Sequence, residues 1–138
     1  MSGGGACKGG TVNKAVKTAA APAAVGPYSQ AVRAGDIVFV SGQLGLDPAT
    51  KKMVDGGIAK QAERCLMNIA AIVEAAGGSM ERIVKTTVLL QSMDDFAALN
   101  EVYAQFFGAD PPARATYAVV KLPLGALVEI EAIAYIAR

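Results

Sequence analysis

From Val128 to Ile136 the chain alternates, with Val128, Ile130, Ala132, Ala134 and Ile136 on one side of a strand, because successive strand residues point to opposite faces. The other side carries Glu129, Glu131, Ile133 and Tyr135. Its two carboxylates stand roughly 7 Å apart at the rise of a strand. A face mixing glutamate with isoleucine and tyrosine suits neither open water nor a closed core. It suits a subunit interface with a polar pocket at its end. Upstream, Ser29 to Ala34 and Ile37 to Gln43 are β-rich runs around a Gly35-Asp36 turn signal, which predicts a hairpin. Ile37 to Val40 is apolar throughout and reads as a strand covered on both faces.

The period then changes. Ala62, Leu66, Ile69, Val73 and Ala76 recur at helical spacing in "GIAKQAERCLMNIAAIVEAAGG", with Gly77-Gly78 as the stop. "RIVKTTVLLQS" reads as a β-branched strand. A second helix is expected in "MDDFAALNEVYAQFFG", with Asp94 as N-cap, an inward stripe of Phe96, Leu99, Tyr103 and Phe106, and Gly108 as terminator. A strand over Thr116 to Val120, a "KLPLGAL" turn and the alternating strand complete the order β-β-α-β-α-β-β. That order predicts an α+β layer, one sheet with two helices on a single face.

Composition sharpens this picture. The chain has 138 residues, enough for one domain with a real core, and is 53% hydrophobic. A mean hydropathy of +0.37 is high for a small monomer, so apolar surface is expected to be buried between subunits. Thirteen basic and twelve acidic residues leave a net charge of +1, which gives no field to steer the protein to nucleic acid or membrane. The absence of histidine excludes Ser-His-Asp and Cys-His catalysts and histidine metal ligands. Cys7 and Cys65 have no metal or disulfide spacing and fit a reducing compartment. No stretch reads as a membrane span. Residues 1–22, Gly-rich at the start, read as a flexible leader before a single domain over 23–138. No acid precedes Asp36, so a transit-peptide remnant is the alternative, with an organelle such as the mitochondrion in place of the cytoplasm.

Chemistry must then rest on carboxylates, cations, hydroxyls and water. Pro111 and Pro112 stiffen the backbone before Arg114, and a restrained planar fork suits bidentate binding of a carboxylate. An internal pair with Asp110 or a glutamate reads equally well from the residues alone. Glu129, opening an apolar strand, suits a general base that activates water, but from the residues alone reads first as a solvated strand-end charge or an interface ion pair. Glu131, deeper in the strand, reads as structural. Tyr28 follows a Gly-Pro bend, and Ser41 precedes Gly42, where a ligand could approach the backbone closely. Each also reads as a turn residue. Asn100, a mediocre helix former in mid-helix, reads as an amide tying helix to loop.

Taken together, "GPYSQAV", "VFVSGQLGLDP", "NIAAIVEAAG", "VKTTVLL", "MDDFAALNEVY", "PPARATYAVVKLP" and "VEIEAIA", in this order over Ala23 to Arg138, resemble the RidA family (YjgF, or L-PSP-type, reactive intermediate deaminases). The resemblance implies a chorismate-mutase-like fold in a homotrimer with clefts between subunits. It also implies hydrolysis of enamine and imine intermediates such as 2-aminoacrylate to 2-oxo acids and ammonia, with no metal or cofactor. On that resemblance Arg114 grips the substrate carboxylate, Glu129 serves the hydrolytic water, and Tyr28, Ser41, Gly42 and Asn100 line or support the cleft. Thr116 stands where several bacterial members carry cysteine, which removes a thiol mechanism and leaves a hydroxyl for the substrate. Two other readings remain at this point. One is an endoribonuclease or translation inhibitor, disfavoured by the near-neutral charge and scattered Lys and Arg. The other is a trimer that binds small carboxylates without turnover.

Overall fold

The computed structural model describes residues 13–137. Its spine is the alternating C-terminal strand, which pairs antiparallel with a neighbour on each side. In chain order the strands are β1 (Asn13–Val16), β2 (Ala31–Ala34), β3 (Ile37–Gln43), β4 (Ile83–Leu90), β5 (Ala113–Ala118) and β6 (Val128–Tyr135). They lie in one sheet in the order β1-β2-β3-β6-β4-β5, parallel only between β4 and β5. Helices α1 (Gly57–Ala75) and α2 (Phe96–Ala104) link β3 to β4 and β4 to β5. The parallel β4–β5 pair needs a crossover, and α2 supplies it.

The period-2 pattern of β6 appears as burial. Val128, Ile130, Ala132 and Ala134 are closed off, while Glu131 and Tyr135 are exposed. The buried face receives α1, whose Ala62, Leu66, Ile69 and Val73 are all fully enclosed. Val38, Val40, Val88 and Leu90 complete the core from the flanking strands. The helix stops as expected near Gly77, whose φ of 99° favours glycine. The hairpin also forms, with Gly35 in the left-handed region at φ 62° and Ile37 paired to Ala34.

Four expectations change. β3 is covered on one face only: Ile37 and Phe39 are 39% and 47% exposed, beside exposed Tyr135. A continuous apolar run tells that both faces want cover, not that the same chain provides it. β5 spans Ala113–Ala118 rather than Thr116 to Val120, because its parallel pairing ends with β4 at Leu90, and Val120 is left fully exposed. Asp94 does not cap α2: the Ser92 side chain accepts from the Asp94 backbone N–H and caps a 3₁₀ turn over Met93–Asp95 that leads into α2, whose own N-cap, Asp95, makes no side-chain capping bond. Part of the expected leader is strand: β1 pairs with β2, and Ala21 is buried. Residues 1–12 of that leader lie outside the described residues. Among the described residues no helix is long and apolar enough to cross a membrane.

Gln30, 3% exposed, ties this N-terminal stretch to β2. Its Nε2 donates to the carbonyls of Thr18, Ala21 and Pro22, and its Oε1 accepts from the Thr18 N–H at 2.7 Å. Gln30→Met keeps the length and removes the amide. It should lower stability by about 1–3 kcal/mol, the usual cost of leaving buried backbone groups unpartnered, read as a lower urea midpoint at unchanged slope.

Candidate active site

Arg114 is the second residue of β5, an edge strand entered through Pro111 and Pro112. Parallel pairing sets it opposite Thr86 of β4, and Thr86 in turn opposite Ala132 of β6. Ala132 and Thr86 both face the helices, 3% and 1% exposed, so Arg114 projects toward the helices as well. There α2 meets it. Nη1 donates to the Asn100 side-chain carbonyl at 2.9 Å. The guanidinium carbon lies 4.8 Å from the centre of the Tyr103 ring and 5.6 Å from that of Phe96. These three helix residues stand four and three apart, which puts them on one face.

No carboxylate neutralises this cation. The ion pairs among the described residues are Arg33–Asp36 and Lys60–Glu63, so the internal pair with Asp110 or a glutamate does not form. A guanidinium carries five N–H donors, and Asn100 is its one hydrogen-bond partner among the described residues. The side chain opens on a groove of about 530 Å³ lined also by Asn100, Tyr103, Phe107, Pro111 and Pro112. Two residues on, and on the same face, Thr116 Oγ1 is buried without a hydrogen-bond partner among the described residues.

A second cluster occupies the opposite side of the sheet. Between the pairs Val40–Ala132 and Gln43–Ile130 the register slips, so Ser41 and Gly42 together oppose Glu131 in a β-bulge. Glu129 lies against Gly42 so closely that any Cβ there would overlap its carboxylate. The Ser41 hydroxyl donates to the Ser29 carbonyl at 2.6 Å, and the Ser41 N–H to the Gln30 carbonyl. Both bonds anchor the turn that presents Tyr28, whose ring is half exposed. Glu129 is half-buried, and burial first, then the charge of Glu131, hold its carboxyl above the usual 4.5. Burial likewise pushes the Tyr103 phenol up, against weaker opposing pulls from Thr86 and Arg114, so the ring stays neutral. Burial also pushes up the Cys65 thiol, which lies beneath β6 and offers no thiolate.

The residues singled out in the sequence therefore fall into two groups. Arg114, Asn100 and Thr116 share the helix side at the outer edge; Ser41, Gly42 and Glu129 gather at the β3–β6 junction, while Tyr28 stands in the turn before β2 and lines a groove with Val16, Thr18 and Ser29. Glu129 is in register with Leu89 and Tyr117, two strands away and three residues beyond Arg114. That puts the backbones of Glu129 and Arg114 roughly 14 Å apart, with side chains on opposite faces. One chain does not bring them together. The sequence reading missed the role of Tyr103 and Phe96, which it took as core stripe, and of Thr86. The i, i+4, i+7 spacing of Phe96, Asn100 and Tyr103 was the available signal. Among the described residues no three histidine, cysteine or acidic side chains gather as a metal would require.

Known proteins resemble this chain over most of its length. A family model described as "Endoribonuclease L-PSP" matches residues 18–136. The bovine (Bos taurus) 2-iminobutanoate/2-iminopropanoate deaminase is 52% identical over 123 residues, covering 89% of this chain and 90% of that one. RidA from the Antarctic bacterium Psychrobacter sp. superimposes with a TM-score of 0.86 at 50% identity, over 89% of this chain and 99% of its own. E. coli TdcF with bound serine gives 0.86 at 43% identity, over 90% and 99%.

The pair Glu129 and Glu131 can be tested directly. Glu131→Gln removes a negative charge from the same strand face, so the charged form of Glu129 becomes easier to reach. Its titration midpoint should fall toward 4.5, followed by carbon-13 shifts of the carboxyl; an unmoved midpoint would show that the two carboxylates do not sense each other.

Proposed function

The chain belongs to the endoribonuclease L-PSP family, which includes the RidA and YjgF proteins, and on that premise we propose that it is a 2-iminobutanoate/2-iminopropanoate deaminase. The mammalian relatives of this name are about half identical over most of the chain. The reaction adds water across the C=N bond of a 2-imino acid. The carbinolamine then expels ammonia and leaves the 2-oxo acid. An enamine such as 2-aminoacrylate enters after protonation at carbon to its imine. The imine carbon is already electrophilic, so the protein has only to hold the acid, aim a water and move protons, which orientation and fixed electrostatics can do.

The observation that carries this reading is a guanidinium fixed in place with no acidic partner among the described residues. Its unused N–H edges suit a substrate carboxylate in the bidentate geometry that arginine favours. Serine in the E. coli relative is a small amino acid of matching kind. The orphaned Thr116 hydroxyl lies beside the same position and gains a partner in an oxygen or nitrogen of the substrate. Glu129 takes a proton from the attacking water and returns it to the leaving nitrogen, a task suited to a carboxyl held above its usual range. Gly42 leaves room for that carboxylate, Tyr28 walls the cleft, and Ser41 holds the Tyr28 turn. Asn100 acts through the arginine it accepts from.

These groups meet only if the Arg114 edge of one copy faces the Glu129 face of another. We therefore infer a homotrimer with three shared clefts, the assembly implied by the family resemblance. The open sheet face fits: Ile37, Phe39, Tyr117 and Tyr135 are all between 39% and 52% exposed, an apolar area that water covers poorly. A metal or organic cofactor has no task in this scheme. The RNA-cleaving reading gains no support from a net charge of +1 without histidine.

Arg114→Ala should lower kcat/KM for 2-aminoacrylate generated in the assay by roughly 100-fold or more, the scale of an unpaired buried charge contact, with the assembly intact by light scattering. Unchanged turnover would remove the anchor. Glu129→Ala should cut kcat by about 10²–10⁴ while weakening 2-oxobutanoate binding far less. Co-assembling these two inactive variants should restore activity in about a quarter of the clefts, those pairing an intact arginine edge with an intact glutamate face. No recovery would place both groups in one chain.

A further inference from the structure

We infer that Tyr103, locked by Thr86, is the residue that positions the Arg114 guanidinium for its anion, an inference that rests on Arg114 being the carboxylate anchor. Asn100 supplies one hydrogen bond, and a single bond leaves the planar fork free to swing about it. A second restraint must fix the plane, and the ring faces are the groups available to do so. Tyr103, at 4.8 Å from the guanidinium carbon, is the nearer of the two rings and lies well inside the range of cation–π attraction, about 6 Å. Phe96 sits farther off at 5.6 Å.

The ring itself is held at both ends. Its hydroxyl shares a hydrogen bond of 2.6 Å with Thr86 Oγ1, both buried, and Phe107 packs against it with centroids 4.7 Å apart at a 42° tilt. Thr86 is also the β4 residue in register with Arg114. One threonine thus sets the height of the arginine backbone and the place of the ring beneath its side chain. The chemical advantage is specific. A carboxylate in this position would hold the guanidinium but neutralise it and occupy its N–H edge. An aromatic face restrains the cation through its flat side and leaves both charge and edge donors for an incoming acid. Tyrosine rather than phenylalanine follows from the need to tether the ring to the sheet.

The test uses the full chain and 2-oxobutanoate as probe, its dissociation constant read by calorimetry beside deamination kinetics. Tyr103→Leu should weaken 2-oxobutanoate and raise KM together by about tenfold, with kcat within about twofold. Tyr103→Phe and Thr86→Val, which remove one hydroxyl each, should each weaken the probe by about threefold, and Thr86→Ser should restore the wild-type constant. A tyrosine that merely filled the core would lower the melting temperature without moving the dissociation constant of the folded protein. Wild-type affinity in folded Tyr103→Leu, or in both hydroxyl variants should that one not fold, overturns the inference, as does a wild-type protein that does not bind 2-oxobutanoate at all. If the wild type binds 2-oxobutanoate and the variants weaken it while no imine is hydrolysed, the positioning role stands and the deaminase reading falls.

Discussion

A cation partly withdrawn from water and left without a counter-charge is the constraint around which this protein is arranged. Taking charge out of water costs free energy unless something compensates. Most folds solve this with a carboxylate. Here Arg114 is given an amide oxygen and two aromatic faces, which restrain it and soften its desolvation without cancelling its charge. In the proposed reaction the compensation that remains comes from the substrate's carboxylate. The surrounding choices follow from that: prolines that stiffen the entry to β5, an edge strand that keeps one side open, and a threonine hydroxyl beside it with no hydrogen-bond partner among the described residues.

The second half of the proposed chemistry is built on different physics. Glu129 is placed by a bulge and by a glycine too small to collide with it, in a spot shielded enough to raise its carboxyl. Arginine and glutamate therefore occupy opposite faces of the same sheet. A sheet has no way to turn one face onto the other at this distance, which is why the proposed chemistry calls for a neighbouring copy. The apolar residues on the open face would favour such an association, and in the proposed shared cleft assembly and catalysis become one requirement. A catalyst so made needs no histidine, because the imine carbon is reactive already and the protein contributes placement.

The local rules of the chain read through almost unchanged. The alternation in β6 predicts its burial residue by residue, and the helical period of α1 predicts which side chains close the core. The Gly35 turn and the Gly77 stop follow from backbone sterics that operate over a few residues. The boundaries moved where a partner decides them: β5 ends where β4 ends, and β1 exists because β2 offers it an edge. Neither pairing can be read from the strand that is being paired.

The sequence by itself determined the α+β layer and the family, and offered Arg114 and Glu129 as candidates, since periodicity, turn signals and motif order are local properties written along the chain. It left undecided whether Arg114 was paired internally, because that depends on which side chains a crossover helix brings within a few ångströms. Only the tertiary structure decided that the guanidinium lies on Tyr103 and Asn100 rather than on an acid. Likewise it alone decided that Glu129 looks the other way, since strand order and register, set by contacts between distant segments, fix which face each side chain takes.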